Sequence, residues 1–368
     1  MQLQNLHIVN YKNYAQCTLH FSPAINFIVG QNGSGKTNLL DAVHYLCFCR
    51  SYFAATDTLN IRHNQGFFRL DGNFITHNGN EKIVAKIANS RKKEISRNNV
   101  PYKKLSEHIG LLPLVMIAPD DVDLIKGGSE DRRKLIDSTL SQFDSLYLQC
   151  LIKYNKLLLQ RNSLLKRFYE QQRFDSNLLL TYDEQLAPLG QQIYEKRQIF
   201  QAKINPLLQQ YYAQISEAKE TVSCLYESPV QQTAMTQLLQ QNRQADRYAQ
   251  RTTQGIHRDN LVFQIKGYPL KKMGSQGQQK SYLIALKFAL YHLLQQHKQQ
   301  SPILLLDDIF DRLDDNRICQ IIKMVSQQPF GQVFISDTHQ ERVQSIFDKF
   351  AIAYKIFHIS EGTLHAPK

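Results

Sequence analysis

The sequence predicts an α/β protein in which a long, mostly helical segment interrupts the α/β domain. Two stretches carry this prediction, because Ile25 to Thr37 and Ile303 to Asp308 are apolar strands that end in polar loops, as in a parallel sheet. The region between them is rich in Leu and Gln at helical spacing. We therefore predict a split α/β domain of residues 1–126 and 251–368 and an inserted arm of residues 127–250.

The composition is that of an ordinary globular chain with a basic balance. The 368 residues are 42% hydrophobic and 21% charged, and the formal net charge is +12 with a pI near 9.3. That balance fits a polyanionic partner such as nucleic acid, and it equally fits a basic protein without such a partner. The sequence has no apolar run long enough to span a membrane, no visible signal peptide and no C-x-x-C pair. We expect a cytoplasmic protein with reduced thiols, no membrane partner and no cysteine metal site.

Short apolar or alternating runs predict strands around the first loop. The first two runs predict an antiparallel pair. The next two predict a hairpin, because Asn78-Gly79 lies between them. The fifth is a buried strand that Pro119 closes. These runs are Leu6 to Val9, Cys17 to Phe21, Phe67 to Ile75, Lys82 to Ala88 and Leu114 to Ala118.

A glycine-rich loop follows the strand Ile25 to Val29 and precedes a helix from Lys36 to about Phe48. The loop fits G-x-x-x-x-G-K-[ST], in which backbone N–H groups and a helix N-terminus surround phosphate oxygens. Lys36 is predicted to reach the β- and γ-phosphates, and Thr37 to place its hydroxyl on Mg²⁺. The phosphate-binding residues are therefore Gly30, Gln31, Asn32, Gly33, Ser34, Gly35, Lys36 and Thr37. This loop predicts nucleoside triphosphate binding.

The predicted arm contains long helices. Leu151, Tyr154, Leu158 and Leu165 mark one apolar stripe, and a second segment runs from Tyr182 to Ser216 with a break expected near Pro206. At 1.5 Å per residue the longer helices would span roughly 40–55 Å. Within the arm, only Thr221 to Tyr226 reads as a strand.

A second candidate site is the acidic end of "ILLLDDIFDRLDD", positions 303 to 315. Four apolar residues before two acids indicate a central parallel strand whose carboxyl end reaches the glycine-rich loop. Asp307 is then placed to hold Mg²⁺, and Asp308 to act as general base for the attacking water. Taken alone, the segment could also be an edge strand that ends in an Asp-rich turn.

Between the two sites lies "MGSQGQQKS", which precedes an amphipathic helix from Gly277 to Gln295. Ser275 and Gly277 at a helix N-terminus could bind an anion, and they could equally form an ordinary N-cap. The segment lies about 30 residues before the acidic strand, and this position favours the anion-binding interpretation. Gly255 to Ile265 and Val333 to Ser336 complete the α/β pattern.

The order of these motifs is similar to that of the ABC-type ATPases of the SMC class and, more narrowly, the chain resembles the RecF family of bacterial recombination mediators over essentially its whole length. Further motifs that support this resemblance are Asn10-Tyr11-Lys12-Asn13-Tyr14, Arg50-Ser51-Tyr52, Pro119-Asp120-Asp121, Asp131-Arg132-Arg133 and Gly255-Ile256-His257-Arg258-Asp259. The resemblance implies an ABC-type P-loop ATPase head, with a mixed sheet, flanking helices and an antiparallel N-terminal β subdomain. The inserted arm would be lobe II.

The resemblance also implies roles for individual residues. Lys36 and Asp308 would be catalytic, and Thr37 and Asp307 would hold Mg²⁺. The residues Ser275, Gly277 and Gln278 would bind ATP held by the other protomer of a dimer, and Asp314 would lie at the dimer seam. His339 falls where ABC ATPases have their switch histidine, although it could also be a surface loop histidine. No glutamine occurs between Ile117 and Asp123 to serve as the usual Q-loop residue.

The resemblance implies an ATP-driven DNA clamp of replication, recombinational repair and the SOS response to DNA damage. Two protomers would close around two ATP molecules on duplex or gapped DNA or on a single-strand/double-strand junction. Weak ATPase activity would time release, and RecO and RecR would be partners in loading recombinase. The alternatives are the nucleotide-binding subunit of an ABC transporter and another SMC-like ATPase.

Overall fold

The computed structural model describes residues 1–89, 93–311, 313–327 and 330–365. The chain divides into two compact units. The first consists of Met1–Asp121, Gln214–Glu217 and Gln276–Lys368, and the second of Val122–Ala213 and Ala218–Ser275. Most of the predicted arm lies in the second unit, which also takes in the segment from 251 to Ser275.

The part of the chain that the structure describes contains both strands and helices. The strands are β1 Gln2–Tyr11, β2 Tyr14–His20, β3 Ile25–Val29, β4 Phe67–Thr76, β5 Gly79–Ala88, β6 Glu94–Arg97, β7 Val100–Pro101, β8 Leu114–Ile117, β9 Val222–Glu227, β10 Asn260–Ile265, β11 Tyr268–Pro269, β12 Ile303–Asp307, β13 Val333–Asp337, β14 Tyr354–Ser360 and β15 Thr363–His365. The helices are α1 Lys36–Phe48, α2 Asp123–Lys126, α3 Ser129–Phe143, α4 Ser145–Glu170, α5 Ser176–Ser216, α6 Met235–Gln241, α7 Arg243–Ala249, α8 Leu270–Met273, α9 Gln276–Lys298, α10 Asp315–Ser326 and α11 Gln340–Lys349.

The first unit contains an antiparallel sheet in the order β2-β1-β4-β5-β6-β7. Both predicted pairings are present, since β1 pairs antiparallel with β2 and β4 pairs antiparallel with β5. The β4–β5 turn consists of His77 and Asn78, and Gly79 follows with φ +111°, a left-handed conformation that glycine adopts without steric cost. The Asn-Gly signal therefore marked the hairpin correctly.

The second sheet of this unit has the order β15-β14-β3-β13-β12-β8. Strands β14, β3, β13, β12 and β8 run parallel to one another, and β15 pairs antiparallel with β14. Every residue of β3, β12 and β13 is buried, as expected for inner strands covered on both faces. The predicted α/β head with a mixed sheet and an antiparallel subdomain is thus confirmed.

Helix α1 packs between the two sheets and explains why they form one core. Leu39, Val43 and Leu46 of this helix share a hydrophobic cluster with strand residues that include Phe74 of the antiparallel sheet and Leu305 of the parallel sheet. The helix begins directly after the glycine-rich loop. Packing α1 therefore fixes where that loop lies.

The second unit is mostly helical and carries one antiparallel sheet, β11-β10-β9. The expected helix break near Pro206 is wrong, because α5 runs unbroken for 41 residues with Pro188 and Pro206 inside it. At 1.5 Å per residue that is about 61 Å, longer than expected. Gln201 Nε2 donates to Cys224 O at 2.7 Å and Cys224 N donates to Asn205 Oδ1 at 2.9 Å, so helix side chains hold β9 beside the proline.

None of the helices in the described part of the chain is long and apolar enough to cross a membrane. All six cysteines are free thiols, and four of them are buried.

Candidate functional site

The shape of the glycine-rich loop depends on glycines that no other residue could replace without strain. Gly33 has φ +79° and Gly35 has φ +117°, both in the region that L side chains rarely adopt. Gly35 is the N-cap of α1, and the first backbone N–H groups of a helix have no acceptor within the helix, so they can donate to phosphate oxygens in the loop. These features are those of a phosphate-binding loop.

Two distant turns brace the loop from outside. Ser34 O accepts hydrogen bonds from Asn13 Nδ2 at 3.0 Å and from Gly362 N at 2.8 Å. Tyr14 OH donates to Gly35 O at 3.0 Å. Asn13 and Tyr14 lie at the β1–β2 turn and Gly362 at the β14–β15 turn. The loop is therefore held in shape by the two ends of the first unit's sequence.

Lys36 lies over the loop and is mostly buried. Its Nζ donates to Gly30 O at 2.8 Å and to Gln31 O at 3.0 Å. Burial lowers the pKa of this ammonium, and the nearby carboxylates of Asp308 and Asp307 act in the opposite direction. The only acceptors of Lys36 among the described residues are two loop carbonyls, so its charge is weakly compensated.

The acidic strand end lies beside the loop, as predicted. Thr37 Oγ1 donates to Asp307 Oδ1 at 3.1 Å, and Ser336 Oγ donates to the same oxygen at 2.6 Å. Asp307 is the last residue of β12 and faces Ser336 in the parallel register with β13. Burial raises the pKa of Asp307, because the carboxylate loses hydration and gains only hydroxyl donors.

Asp308 follows on a strained turn. It has φ +47°, and its backbone N–H donates to Ser336 Oγ at 3.1 Å and to Ser336 O at 3.2 Å. These bonds fix the residue just beyond the strand. Its side chain lines a cavity of about 330 Å³. The lining residues are Asn32, Asp308, Phe310, Asp311, Asp337, Thr338, His339 and Arg342.

His339 lies on the wall of this cavity and is also exposed to solvent. It caps α11, and its backbone N–H donates to Asp337 Oδ1 at 2.6 Å. Burial raises the pKa of Asp337, and Asp308 raises it further. The cavity therefore combines carboxylates, a histidine and Arg342 at the edge of the loop.

The predicted signature segment, Ser275 to Gln278, straddles the boundary between the units. Ser275 is the last residue of the second unit, and α9 begins at Gln276 in the first. A Cβ on Gly277 would lie 2.9 Å from Arg317 Nη1, which donates to Ser281 Oγ at 3.0 Å. Asp314 Oδ1 accepts from Arg317 N at 2.9 Å, so Gly277 lies close to the turn that carries Asp314. The role of Ser275, Gly277 and Gln278 in a second protomer's site stays a prediction.

Sequence reasoning missed several residues that shape the site. Asn13 belongs to a motif quoted for the resemblance, yet its contact with the loop could not be seen there. Ser336 ended a predicted strand, but its bond to Asp307 depends on the β12–β13 register. Gly362 lies in a hairpin that was not predicted, and Asp337 and Arg342 were not singled out.

The residues present fit a bound nucleotide with Mg²⁺. Ser34 Oγ is buried without a hydrogen-bond partner, and a Cβ at Gly30 would collide with Ile359 O, so the loop holds a polar atom without a protein partner and has no room for larger residues. Within the described ranges no group of three or more His, Cys, Asp or Glu side chains is arranged to bind a metal by itself. Mg²⁺ in such sites takes most of its ligands from phosphates and water. Thr37 and Asp307 are the protein groups that would hold it.

Comparisons with known proteins agree with this reading. Residues 2–363 match the family described as RecF/RecN/SMC N terminal domain. The chain is 45% identical to the DNA replication and repair protein RecF of Flavobacterium johnsoniae, over 98% of this chain and 100% of that protein. It is 44% identical to the protein of the same name from Phocaeicola vulgatus, over 98% and 97% of the two chains.

Solved structures extend the likeness to the fold. A structure described as the recombination mediator protein RecF with ATP in the RecFOR pathway superposes with a TM-score of 0.88 at 27% identity, over 100% of this chain and 97% of that one. An Smc head bound to the C-winged helix domain of ScpA gives a TM-score of 0.59 at 16% identity, covering 99% and 96% of the two chains. The second match supports the fold alone.

Proposed function

The chain belongs to the RecF/RecN/SMC N-terminal domain family, and within it to the RecF proteins; on that premise we propose that it is an ATP-dependent DNA-binding ATPase of DNA replication and repair. The observation that carries the proposal is the pairing of the P-loop with the acidic strand end, in which Thr37 Oγ1 lies 3.1 Å from Asp307 Oδ1. Relatives that match this chain from end to end are named as replication and repair proteins. A role as a transporter subunit has no such support.

In the proposed reaction, the backbone of the loop binds the phosphates of ATP and Lys36 turns from the loop carbonyls to the β- and γ-phosphates. Thr37 and Asp307 would hold Mg²⁺, which neutralises phosphate charge when bound. Asp308 would orient the attacking water and accept its proton. Its fixed backbone and its place on the cavity wall suit that role.

We propose that hydrolysis requires two protomers. Ser275, Gly277 and Gln278 of one chain would contact the γ-phosphate of ATP held by the other, with Asp314 at the seam. A two-fold interface of this kind is isologous, so each dimer has two equivalent sites. His339 would act as the switch histidine, and its place on the wall of the cavity that Asp308 lines supports this choice.

The proposed ligand of the closed dimer is duplex or gapped DNA, or a single-strand/double-strand junction. The net charge of +12 suits contacts with phosphates, which give salt-dependent and sequence-independent binding. The sequence contains three short basic clusters, which are Arg91-Lys92-Lys93, Lys103-Lys104 and Lys271-Lys272. The lysines of the second and third clusters are exposed. Lys93 instead pairs with Asp57 at 2.9 Å, which makes it a weaker candidate, and Arg91 and Lys92 lie outside the described residues.

Slow hydrolysis would act as a timer that releases DNA, and RecO and RecR would be partners in the cytoplasm. The matching solved structures are described as part of a RecFOR pathway, which supports these partners by similarity. Whether this chain binds both partners is best tested with purified proteins.

The test separates a composite dimer site from a self-contained one. Ser275→Arg puts a bulky cation into the proposed seam and leaves the P-loop intact, while Lys36→Met removes the cation that binds the phosphates. We expect each variant alone to sediment as a monomer with ATP and duplex DNA and to lose hydrolysis. Ser275→Arg should still bind ATP as a monomer.

An equimolar mixture of the two variants should recover part of the hydrolysis. The intact P-loop comes from the Ser275→Arg chain and the intact Ser275 from the Lys36→Met chain, so a heterodimer holds at most one working site. If Ser275→Arg alone dimerises on ATP, the shared site is wrong and Ser275 is only a helix cap.

A further inference from the structure

Two buried charged side chains and one half-buried tyrosine of the first unit form a hydrogen-bonded cluster. They are Lys287 in the middle of α9, Asp121 in the turn Pro119–Val122 after β8, and Tyr52, which follows the P-loop helix α1. The side chains of Lys287 and Asp121 are only 3% and 6% exposed. Tyr52 and Asp121 belong to motifs that the proposed function leaves without a role.

The contacts of this triad are complete. Lys287 Nζ lies 3.0 Å from Asp121 Oδ2 and donates to Met116 O at 2.8 Å and to Tyr52 OH at 3.1 Å. Tyr52 OH donates to Asp121 Oδ1. Asp121 Oδ2 also accepts from Ala118 N at 2.8 Å. Each of the three ammonium protons of Lys287 therefore has an acceptor.

The triad joins segments that carry different parts of the site. Tyr52 is tied to α1, because its backbone N–H donates to Asp41 Oδ1 at 2.7 Å. Ser51 Oγ donates to Asp41 Oδ2 at 2.7 Å, which fixes the same segment. Lys287 lies on the helix that begins directly after Ser275, and Asp121 is the residue at which the chain leaves the first unit. One buried ion pair thus connects α9, which we call the signature helix, with the residue at which the chain leaves the first unit. Tyr52 links this pair to the P-loop helix α1.

A buried ion pair is a costly way to gain stability, because removing two charges from water offsets most of their attraction. Apolar side chains of similar size would hold α9 against β8 as well. Unlike apolar side chains, the ion pair specifies the orientation of α9, because its hydrogen bonds are satisfied in one orientation of that helix only. That orientation decides where the signature segment at the start of α9 points.

We infer that Lys287 is a positioning residue, which together with Asp121 and Tyr52 holds the signature helix in the orientation that ATP-dependent dimerisation and hydrolysis require. The inference rests on the proposed function. It assigns no contact with ATP to Lys287. Its loss should therefore reduce kcat and dimer formation while leaving ATP binding by the monomer unchanged.

The experiment compares Lys287→Met, Asp121→Asn and the double variant in the full-length chain. Each single variant leaves one buried polar partner uncompensated, so both should unfold at lower temperature than the parent. The double variant removes both charges and should recover most of that stability. In all three we expect kcat to fall at least about tenfold, with KM and the Kd for ATP of the monomer within about twofold.

Lys298→Met is the matched control, because it removes a lysine from the C-terminal end of the same helix and should leave kcat and dimerisation at parent values. Recovery of parental kcat in the double variant along with its stability would reduce the triad to a packing element and overturn the inference, and so would unchanged kcat in Lys287→Met. A parent protein that does not dimerise on ATP would overturn the proposed function and the inference with it. A parent that dimerises alongside variants that also dimerise overturns the inference alone.

Discussion

Two clusters of buried charge, one in each unit, are compensated to different degrees. In the first, Lys36 donates only to loop carbonyls among its described contacts, while Asp307 and Asp337 lie close by and burial raises the pKa of both. In the second, Arg197 is 1% exposed and lies between Asp137 and Asp259, with Nη2 and Nη1 at 2.8 and 2.6 Å from their carboxylates. Lys36 therefore has no carboxylate among its hydrogen-bond acceptors in the described residues, whereas the guanidinium of Arg197 pairs with two carboxylates.

The pKa values of the two buried cations show the same contrast. Burial opposes the charge of Arg197, yet Tyr147, Asp137 and Asp259 together raise the pKa of its guanidinium well above the usual range. Burial lowers the pKa of Lys36, and the carboxylates near it do not reverse the shift. Groups that burial shifts away from their charged form are typical of sites that await a ligand of opposite charge. The Lys36 cluster therefore suits an anionic ligand, whereas the paired guanidinium of Arg197 stabilises the fold.

The first prediction, with the largest effect, tests whether the Arg197 cluster stabilises the second unit. Arg197→Met leaves Asp137 and Asp259 without their cation, and we expect the free energy of unfolding of the second unit to fall by about 3–5 kcal/mol. The neighbouring Lys196 pairs with Asp144 at 2.7 Å but is 49% exposed, so Lys196→Met should cost about 0–1 kcal/mol. Urea unfolding of both variants measures the difference. Equal losses would mean that the Arg197 network is not what holds this unit together.

The second prediction tests the role of Asp308 in the proposed nucleotide site. Asp308→Asn keeps the side-chain shape and tolerates the positive φ of this position, but it cannot accept a proton. We expect kcat for ATP hydrolysis to fall about 10²- to 10⁴-fold while ATP binding changes by less than about threefold. Asp311→Asn on the wall of the same cavity is the control and should retain most of the activity. Hydrolysis at the parent rate in Asp308→Asn would place the base elsewhere.

The third prediction, with the smallest effect, concerns how the stability of the folded protein depends on pH. Burial raises the pKa of Asp307 in the folded state, so the native protein binds more protons than the unfolded chain above the ordinary pKa of 3.8. Stability from this group is present below pH 3.8 and is lost as the pH rises through the folded-state pKa. Asp307→Asn should therefore raise the melting temperature of the nucleotide-free protein at neutral pH by roughly 1–3 °C and flatten its decline with pH.

Asp348→Asn removes the same charge from an exposed position on α11 and serves as the control for charge alone. A lower melting temperature for Asp307→Asn at neutral pH would show that the carboxylate stabilises the nucleotide-free site. The poorly compensated character assigned to this region would then be wrong.

Much of the fold was predictable because its signals are local. The β4–β5 hairpin has an Asn-Gly turn, and α1 follows a glycine loop with its own motif. The continuity of α5 through Pro206 was not predictable in this way, since proline removes a helix hydrogen bond. Buried neighbours such as Ile204 and Leu208, together with the side-chain bonds to β9, outweigh that loss.

The residues of the site fall into the same two groups, those with a local sequence signal and those identified only by tertiary contacts. The candidate residues for phosphate and Mg²⁺ were predictable from sequence alone, because the loop motif and the strand end at Asp307-Asp308 are each contiguous and their chemistry belongs to the residue types. The contacts that hold these residues in place could be identified only in the folded structure. Asn13 and Gly362 bond to the same carbonyl of the loop although they lie 349 positions apart, and Lys287 finds Asp121 across 166 positions. Such pairs depend on strand order and helix packing, and these follow from burial summed over the whole core, which no short stretch of sequence records.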